Sequence, residues 1–348
     1  MRSIIETYAQ LIRDKSGINA ILKEMDAQLA DAELTLESAK GPVGALAKAI
    51  KHHKSLLLLG MGASHYTNEL FSFQLRRLGI NAMAISASEF LYDPLPDWEG
   101  PVLLTSQSGE SVETVRCLQL LQTKQLFSIT LNRESTIGRG SQAIIAEGGA
   151  EKAFAGTRSV TLSVVVMASV CTHLGLGKKQ DIIKAIRTIP EPLEAFHKAV
   201  GTLSQSQQVI ATGRSLFASM AHLFALGCEE LSRQPVFSLE TGQLRHGPME
   251  ILNEESALVI FRQAGTLGQL VSSFESVQQQ AGFKSVVFDA SDETPLEGAV
   301  TIGFPAGDDI FTALSMMTAF QTLMIAYACT KNSYTGLPKY GSKVTVTE

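Results

Sequence analysis

The feature that most constrains this fold is a repeated alternation of short apolar segments with longer helical ones. The segments predicted as strands are residues 55–59, 81–86, 101–105, 126–131, 143–146, 208–212, 236–238, 257–261, 285–288 and 300–304. A strand, a glycine and a long helix follow one another at Gly60 and again at Gly213, about 150 residues later. Strands that are apolar on both sides and alternate with helices indicate a parallel sheet covered on both faces. The sequence therefore predicts two similar α/β domains in tandem.

The segments between the strands give the predicted domain limits. Residues 1–50 have helical periodicity, and the charged stretch 178–196, with Pro190 and Pro192, has the character of a linker. Helices are also expected at residues 64–78, 109–123 and 157–174, after Gly213, and between the later strands. The predicted organisation is a helical segment at 1–50, a first domain at 51–177, a linker at 178–200, a second domain at 201–331 and a tail at 332–348.

Charge and cysteine usage exclude several classes of protein. The 29 Lys and Arg residues against 34 Asp and Glu residues give a net charge of −5, which argues against nucleic-acid binding. The four cysteines lie far apart, and neither a metal motif nor another cofactor motif is evident, so we expect reduced thiols, no metal and no cofactor. The charged N-terminus does not resemble a signal peptide, which predicts a cytoplasmic protein.

An uncharged stretch at residues 310–330 is long enough to cross a membrane. It contains several Ser, Thr and Gln residues, which makes a membrane span the weaker interpretation. We expect a fully buried helix, either in the core or at a subunit interface, and no membrane association.

A serine-rich turn follows the third predicted strand. Its hydroxyl-bearing residues are Ser106, Ser108 and Ser111, and Gly109 allows a tight turn before the next helix. Free N–H groups at the start of that helix would point in the same direction as the hydroxyls. This arrangement predicts a binding site for a phosphate monoester without Lys or Arg, although an ordinary helix cap has the same composition.

Two further segments do not specify a binding or catalytic function by themselves. Gly60 and Gly62 flank the end of the first strand, but His65 stands where a dinucleotide-binding loop would have its third glycine. Glu230 and His246 are 16 residues apart, a spacing that does not specify a mechanism.

Together these segments resemble the sugar isomerase (SIS) domain family over nearly the whole chain. The family's Ser-Gln-Ser-Gly-Glu phosphate loop is present at residues 106–110, and its Gly-x-Leu-(Lys/Arg)-His-Gly-Pro segment is similar to residues 242–248. The strand–glycine–helix entry to the second domain is similar to residues 213–230, and the closing Val-Thr-Val tail stands at 344–346. The resemblance implies two tandem flavodoxin-like SIS domains, a homodimer with shared active sites and a phosphorylated sugar as substrate.

The resemblance also implies residue roles. Glu230 matches the base that moves a proton between C1 and C2 of the open-chain sugar, and His246 matches the ring-opening acid or base, serving the other chain's site. Lys343 matches a catalytic lysine in a tail that covers the site. The implied phosphate ligands are Ser64, Ser106, Gln107, Ser108 and Ser111. The implied sugar contacts are Gly62, Ala155 and Thr157.

Several positions depart from the resemblance. Gly227 and Glu229 stand where the related synthases have lysines, and Lys343 is shifted by one residue from their tail lysine, although related deaminases share its position. No nucleophilic cysteine follows Met1, so we expect that the chain does not take nitrogen from glutamine by itself. The sequence around Arg262 does not resemble a second phosphate loop, so we expect one phosphate site per chain.

Three functions remain open at this stage. The first is an isomerase or deaminase of an aminosugar phosphate such as glucosamine 6-phosphate. The second is a deglycase that splits a 6-phosphorylated fructose–amino-acid adduct and does not need the synthase lysines. The third is a sugar-phosphate sensor without enzymatic activity, which the presence of Glu230 and His246 disfavours.

Overall fold

The computed structural model describes residues 1–95, 97–121 and 125–345, which divide into two compact units. The N-terminal unit comprises Ala20–Lys184 with the tail from Pro338 onwards, and the C-terminal unit comprises Met1–Asn19 with Ala185–Leu337. Each unit thus includes a piece from the far end of the chain. The domain limits expected from the sequence are continuous segments, and they remain a prediction.

The helices and strands follow one another in the expected order. The helices are α1 (Arg2–Ala9), α2 (Ser16–Ser38), α3 (Lys40–His53), α4 (Gly62–Arg77), α5 (Ala87–Tyr92), α6 (Val112–Leu120), α7 (Thr136–Gly140), α8 (Arg158–Leu174), α9 (Lys179–Ile186), α10 (Glu194–Gln205), α11 (Leu216–Ser232), α12 (Thr241–Arg245), α13 (Thr266–Gln269), α14 (Phe274–Ala281) and α15 (Asp309–Lys331), with 3₁₀ turns at Pro248–Ile251 and Leu270–Ser273. The strands are β1 (Ser55–Gly60), β2 (Asn81–Ser86), β3 (Val102–Thr105), β4 (Leu126–Thr130), β5 (Gln142–Ile145), β6 (Gln208–Gly213), β7 (Val236–Glu240), β8 (Ser256–Arg262), β9 (Lys284–Asp289) and β10 (Val300–Gly303).

Each unit is built around a parallel sheet, and within the described ranges each sheet has five strands. The first sheet has the order β2-β1-β3-β4-β5, and the second has the order β7-β6-β8-β9-β10. When the strands of each unit are counted from its own first strand, both sheets have the same order, 2-1-3-4-5. The predicted repeat is therefore confirmed. Central strands such as β1 and β8 are buried along almost their whole length, because helices cover both faces.

The apolar stretch at residues 310–330 is confirmed as a buried helix. By length and composition α15 is long enough to cross a membrane, but 94% of its most apolar window is buried within the protein. It packs against α11, α1 and α10 inside the C-terminal unit. The helix is therefore the core of that unit.

Some local predictions were wrong. The helix expected from residue 109 begins only at Val112, since the serine turn occupies the residues before it, and its expected end at Thr123 lies outside the described residues. Within the described chain, the connection 290–299 between β9 and β10 contains no helix. The short helix α5 was missed, although Ser86 caps it by accepting a hydrogen bond from the Glu89 N–H, a common helix-start pattern.

Candidate active site

The serine turn between β3 and α6 brings hydroxyl groups together at the start of a helix. The Gly109 N–H donates to Ser106 Oγ at 3.2 Å, and the Glu110 N–H donates to Ser108 Oγ at 3.1 Å. Ser111 is the N-cap residue of α6, and its Oγ lies 3.4 Å from Ser106 Oγ. The turn therefore presents Ser106 and Ser111 side by side, where the partial positive charge of the helix start favours an anion.

Neighbouring residues fix the shape of this turn. Gly109 has φ of 69°, a left-handed conformation that glycine adopts without strain. The Glu110 carboxylate accepts hydrogen bonds from both the N–H and the hydroxyl of Thr136, each at 2.8 Å. The Gln107 carbonyl accepts from the Leu131 N–H at 3.1 Å. Glu110 and the Gln107 backbone thus hold the turn, and the half-buried Gln107 side chain belongs to its surface.

The turn lies at the point where the order of the first sheet reverses. The central strand β1 pairs with β3 on one side, with Gly60 opposite Thr105, and with β2 on the other. The glycine loop after β1 leads into α4, whose first turn contains Ser64, a half-buried residue. Gly62 is exposed and has φ of 50°. Open parallel sheets bind ligands in this kind of crevice at the carboxyl ends of the strands.

The predicted sugar-contact segment contains a carboxylate that sequence reasoning missed. Ala155 and Thr157 are both buried, just before α8. Glu151 is buried as well, and its Oε1 accepts from the Thr157 N–H at 2.9 Å, while its Oε2 accepts from the Ser159 hydroxyl at 2.6 Å. Lys343 Nζ lies 3.0 Å from the same Oε2. The structure therefore brings the predicted Lys343 to the predicted sugar-contact segment through Glu151.

The charge state of Glu151 follows from these contacts. Burial alone would raise its pKa, but the Lys343 ammonium and hydrogen bonds from Ser159 and Thr157 outweigh burial and lower the pKa below its usual value. Glu151 is therefore an ionised carboxylate in the protein interior. A Glu shortly before a helix is common in sequences, so the position of Glu151 in the sequence does not reveal that it is a buried, paired carboxylate.

Glu230 and His246 lie beyond opposite ends of β7, a strand of the second sheet. Glu230 is in the last turn of α11, which leads to the start of β7 at Val236. His246 follows α12, which leaves the end of β7 at Glu240. Four residue steps along a strand separate these ends by about 13 Å. The order of elements therefore places Glu230 before the start of β7 and His246 beyond its end.

Residues 49–171 match the sequence profile described as the SIS domain. These residues form a SIS domain. The match contains β1 to β5 and therefore the glycine loop and the serine turn.

Curated relatives of the chain are isomerizing glutamine–fructose-6-phosphate aminotransferases. The protein from Haemophilus influenzae is 22% identical over 351 residues, with 94% of this chain and 57% of the relative aligned. That from Sulfurisphaera tokodaii is 26% identical over 261 residues, with 73% of this chain and 43% of the relative aligned. The chain thus spans about half the length of the relatives that it matches.

Solved structures share the fold over nearly the whole chain. The C-terminal domain of glucosamine-fructose-6-phosphate aminotransferase from Francisella tularensis has a TM-score of 0.77 at 18% identity, covering 90% of this chain and 96% of that one. Glucosamine-6-phosphate deaminase from Thermotoga maritima has a TM-score of 0.73 at 19% identity, covering 93% and 99%. Tagatose-6-phosphate ketose/aldose isomerase from Escherichia coli has a TM-score of 0.73 at 18% identity, covering 88% and 91%. These matches show the fold: two α/β units in tandem, each built around a parallel sheet.

Gly227, on the helix that carries Glu230, packs against the side chain of Met324. A side chain built there would meet the Met324 side chain of α15, because the two helices pack closely at this point. Glu229 is exposed, while Glu230 is half-buried, so the two carboxylates face different surroundings. Although Glu229 is exposed, the partial burial of its carboxylate raises its pKa, and a hydrogen bond from the Val236 N–H partly offsets that effect.

The end of β8, which corresponds in strand order to the end of β3, carries a buried charged side chain. Arg262, at the end of β8, is completely buried. Its guanidinium donates to Asp289 at 3.1 Å, to the Gly268 carbonyl at 3.0 Å and to Ser272 at 3.2 Å. The positive charge is thus balanced inside the protein. The expectation of one phosphate site per chain remains a prediction.

Neither a metal cluster nor a reactive thiol is evident in the part of the chain that the structure describes. Within that part, no group of three His, Cys, Asp or Glu side chains is placed to hold a metal ion. All four cysteines are free and buried. Burial, with a smaller effect of the Glu113 charge, raises the pKa of Cys117 to about 12, so its thiolate is not accessible at neutral pH.

Proposed function

We propose that this protein is a phosphosugar isomerase or aminosugar-phosphate deaminase, acting on a substrate of the glucosamine 6-phosphate or fructose 6-phosphate type. The observation that carries the proposal is the serine turn, where Ser106, Ser108 and Ser111 meet the start of α6 at the reversal point of the first sheet. The relatives and structural matches named above act, by their names, on hexose 6-phosphates and support the same substrate class.

The 6-phosphate is the natural ligand of this turn. Serine hydroxyls and helix N–H groups bind a phosphate without a cationic side chain, because the donors are fixed and the helix start is partly positive. Ser64 in the adjacent glycine loop and Gln107 add further donors in this proposal. Binding energy from this remote group orients the sugar carbons for reaction.

The chemical step is a proton transfer between C1 and C2. His246 assists ring opening, and Glu230 takes the proton from one carbon and returns it to the other through an enediol or enolamine. Lys343, with Gly62, Ala155 and Thr157, belongs to the part of the site that contacts the sugar. A positioned carboxylate base contributes about 10²–10⁴-fold to such a rate.

The opposite placement of Glu230 and His246 supports a homodimer with shared sites. Because the two residues flank opposite ends of β7, each site takes its His246 from the other protomer. His246 is exposed in the single chain, as such a contribution requires. We place the enzyme in the cytoplasm, where its free cysteines stay reduced.

A second candidate is a deglycase acting on a 6-phosphorylated fructose–amino-acid adduct. The observation that favours it is that Gly227 and Glu229 stand where the related synthases have lysines, which the deglycase does not need. The deglycase uses the same Glu230 and His246 and differs only in the group attached to C1 or C2.

Ligand binding and turnover are tested separately. Thermal unfolding is measured with glucose 6-phosphate, glucitol 6-phosphate and the unphosphorylated sugars. A phosphorylated ligand at 100 times its Kd stabilises the protein by about 2.7 kcal/mol, and the free sugars give little shift. Equal shifts with and without phosphate would contradict the proposed phosphate site.

A coupled assay over a panel of hexose 6-phosphate derivatives then distinguishes the reactions. Ketose–aldose conversion, ammonia release and amino-acid release identify an isomerase, a deaminase and a deglycase, respectively. Phosphosugar binding without turnover of any panel member would contradict an enzymatic function and favour a sensor.

A further inference from the structure

Glu151 is a buried carboxylate in the N-terminal unit. It accepts hydrogen bonds from the start of α8, next to the predicted sugar contacts, and from the C-terminal tail. Its side chain is completely buried. It accepts hydrogen bonds from the N–H and hydroxyl of Thr157, at 2.9 and 3.2 Å, and from the hydroxyl of Ser159, at 2.6 Å. The Ser159 N–H also donates to it, at 3.4 Å, and so does Lys343 Nζ, at 3.0 Å. A buried charge needs this degree of pairing to be tolerated.

The carboxylate is held in place independently of Lys343. Thr157 is the N-cap residue of α8, so the N–H groups that reach Glu151 are those at the start of a 17-residue helix. The helix start favours a negative charge and fixes its position. Glu151 is therefore an anchor tied to the start of a helix, whereas Lys343 reaches it from the C-terminal tail.

The anchor determines where the Lys343 ammonium lies. Its Nζ donates to Glu151 and, at 3.3 Å, to the Phe154 carbonyl, next to Ala155. Two residues later, the Thr345 carbonyl accepts from the Val112 N–H at 3.1 Å, beside Ser111. The tail thus contacts both the sugar-contact segment and the start of the phosphate-binding helix. An ammonium has three N–H donors, so one more is available for a ligand.

We propose that Glu151 is a positioning residue that acts through Lys343. It holds the ammonium beside the sugar-contact segment, where the third N–H donates to the sugar oxygen on which negative charge develops during proton transfer between C1 and C2. A preorganised donor at such an oxygen stabilises the transition state more than the bound substrate. The inference rests on the proposed function, because it assigns Lys343 a role in that reaction.

A double-mutant cycle tests this coupling. Glu151→Gln keeps the shape and removes the charge, and Lys343→Met removes the ammonium. Each single variant is expected to lower kcat at least ten-fold while KM stays within about three-fold, because the phosphate turn is unchanged. If Glu151 acts through Lys343, the double variant is no slower than the slower single variant.

Asp31→Asn is the matched control. Asp31 accepts from Arg158 at 2.7 Å in the same unit and pairs with a different side chain at the start of α8. In the double variant Asp31→Asn/Lys343→Met, the fold reduction in kcat should equal the product of the two single reductions, whatever the size of the Asp31→Asn effect. Multiplication of the Glu151→Gln and Lys343→Met effects would overturn the proposal, because Glu151 would then be only structural. If Glu151→Gln does not fold, Ser159→Ala, which removes one hydrogen bond to the carboxylate, replaces it in the cycle.

A chemical readout separates this proposal from the proposed function. Reductive methylation with formaldehyde and cyanoborohydride, followed by mass spectrometry, reports how firmly each lysine is held in the unliganded protein. Glu151→Gln is expected to raise the rate several-fold at Lys343 and to leave the exposed Lys339 unchanged. Unchanged methylation of Lys343 would overturn the positioning contact. Faster methylation in a protein that turns over no phosphosugar would support the contact and refute the proposed reaction.

Discussion

Thr105 Oγ1 donates a hydrogen bond of 2.6 Å to Asn68 Oδ1, and both side chains are buried. Thr105 ends β3 just before the serine turn, and Asn68 lies one turn of α4 beyond Ser64. This bond therefore ties together the two segments that carry the proposed phosphate donors.

Removing one partner of this bond should destabilise the N-terminal unit. Thr105→Val leaves the Asn68 carbonyl oxygen buried without its donor, which costs about 1–3 kcal/mol. Chemical denaturation measures the loss. The double variant Thr105→Val/Asn68→Leu removes both polar groups and should recover part of it. No loss in the single variant would show that the bond does not contribute to stability.

Gly109→Ala should abolish phosphate binding. The residue has φ of 69°, and an added Cβ would meet the Ser135 hydroxyl, so the turn must change shape. Gly79→Ala is the matched control, since Gly79 has φ of 74° but open space around it. Both variants are strained, by about 1–2 kcal/mol, but only Gly109→Ala should lose the thermal shift given by glucose 6-phosphate. An equal loss in both would point to general destabilisation.

Glu230→Gln should lower turnover by about 10²–10⁴-fold with substrate affinity within a few-fold, because the amide keeps the shape but is not a base. Exchange of deuterium at the substrate's C2 with solvent should stop in this variant. Glu229→Gln, one residue away on the exposed side of the helix, is the control and should retain exchange. Loss of exchange in Glu229→Gln alone would reassign the base.

Mixing Glu230→Gln protein with His246→Asn protein should restore activity. If each site combines Glu230 of one protomer with His246 of the other, random exchange gives half heterodimers, and one of the two sites in each is intact. About a quarter of wild-type activity is therefore expected, once subunit exchange has been demonstrated and both parents are inactive. An inactive mixture would refute shared sites.

Stability should depend on Glu151 in a pH-dependent way. The pKa of Glu151 is lowered in the folded protein, so its contribution is complete above the ordinary Glu pKa and is lost as pH falls through the folded value. Wild type should exceed Glu151→Gln in unfolding free energy near pH 7, and the difference should shrink below about pH 4. Urea denaturation at both pH values measures this. A difference that persists unchanged in acid would exclude ionisation of Glu151 as its source.

Much of the fold could be predicted because its signals are local. The Leu-rich run at β1 and the glycine after it specify a buried strand and a turn within a few residues. The repeat of this pattern at β6 gave the tandem arrangement. The boundaries of α6 were less accurate, because the serine turn and the helix start have similar composition.

The sequence alone determined the order of strands and helices, the buried nature of α15 and the serine turn after β3, since each depends on the period or spacing of neighbouring residues. Only the tertiary structure decided that Glu151 pairs with Lys343, 192 residues later. It also decided that Met324 packs against Gly227. The physical reason is that such contacts depend on how distant segments pack against each other, and a single chain's local pattern does not encode which distant partner a charged or small residue meets.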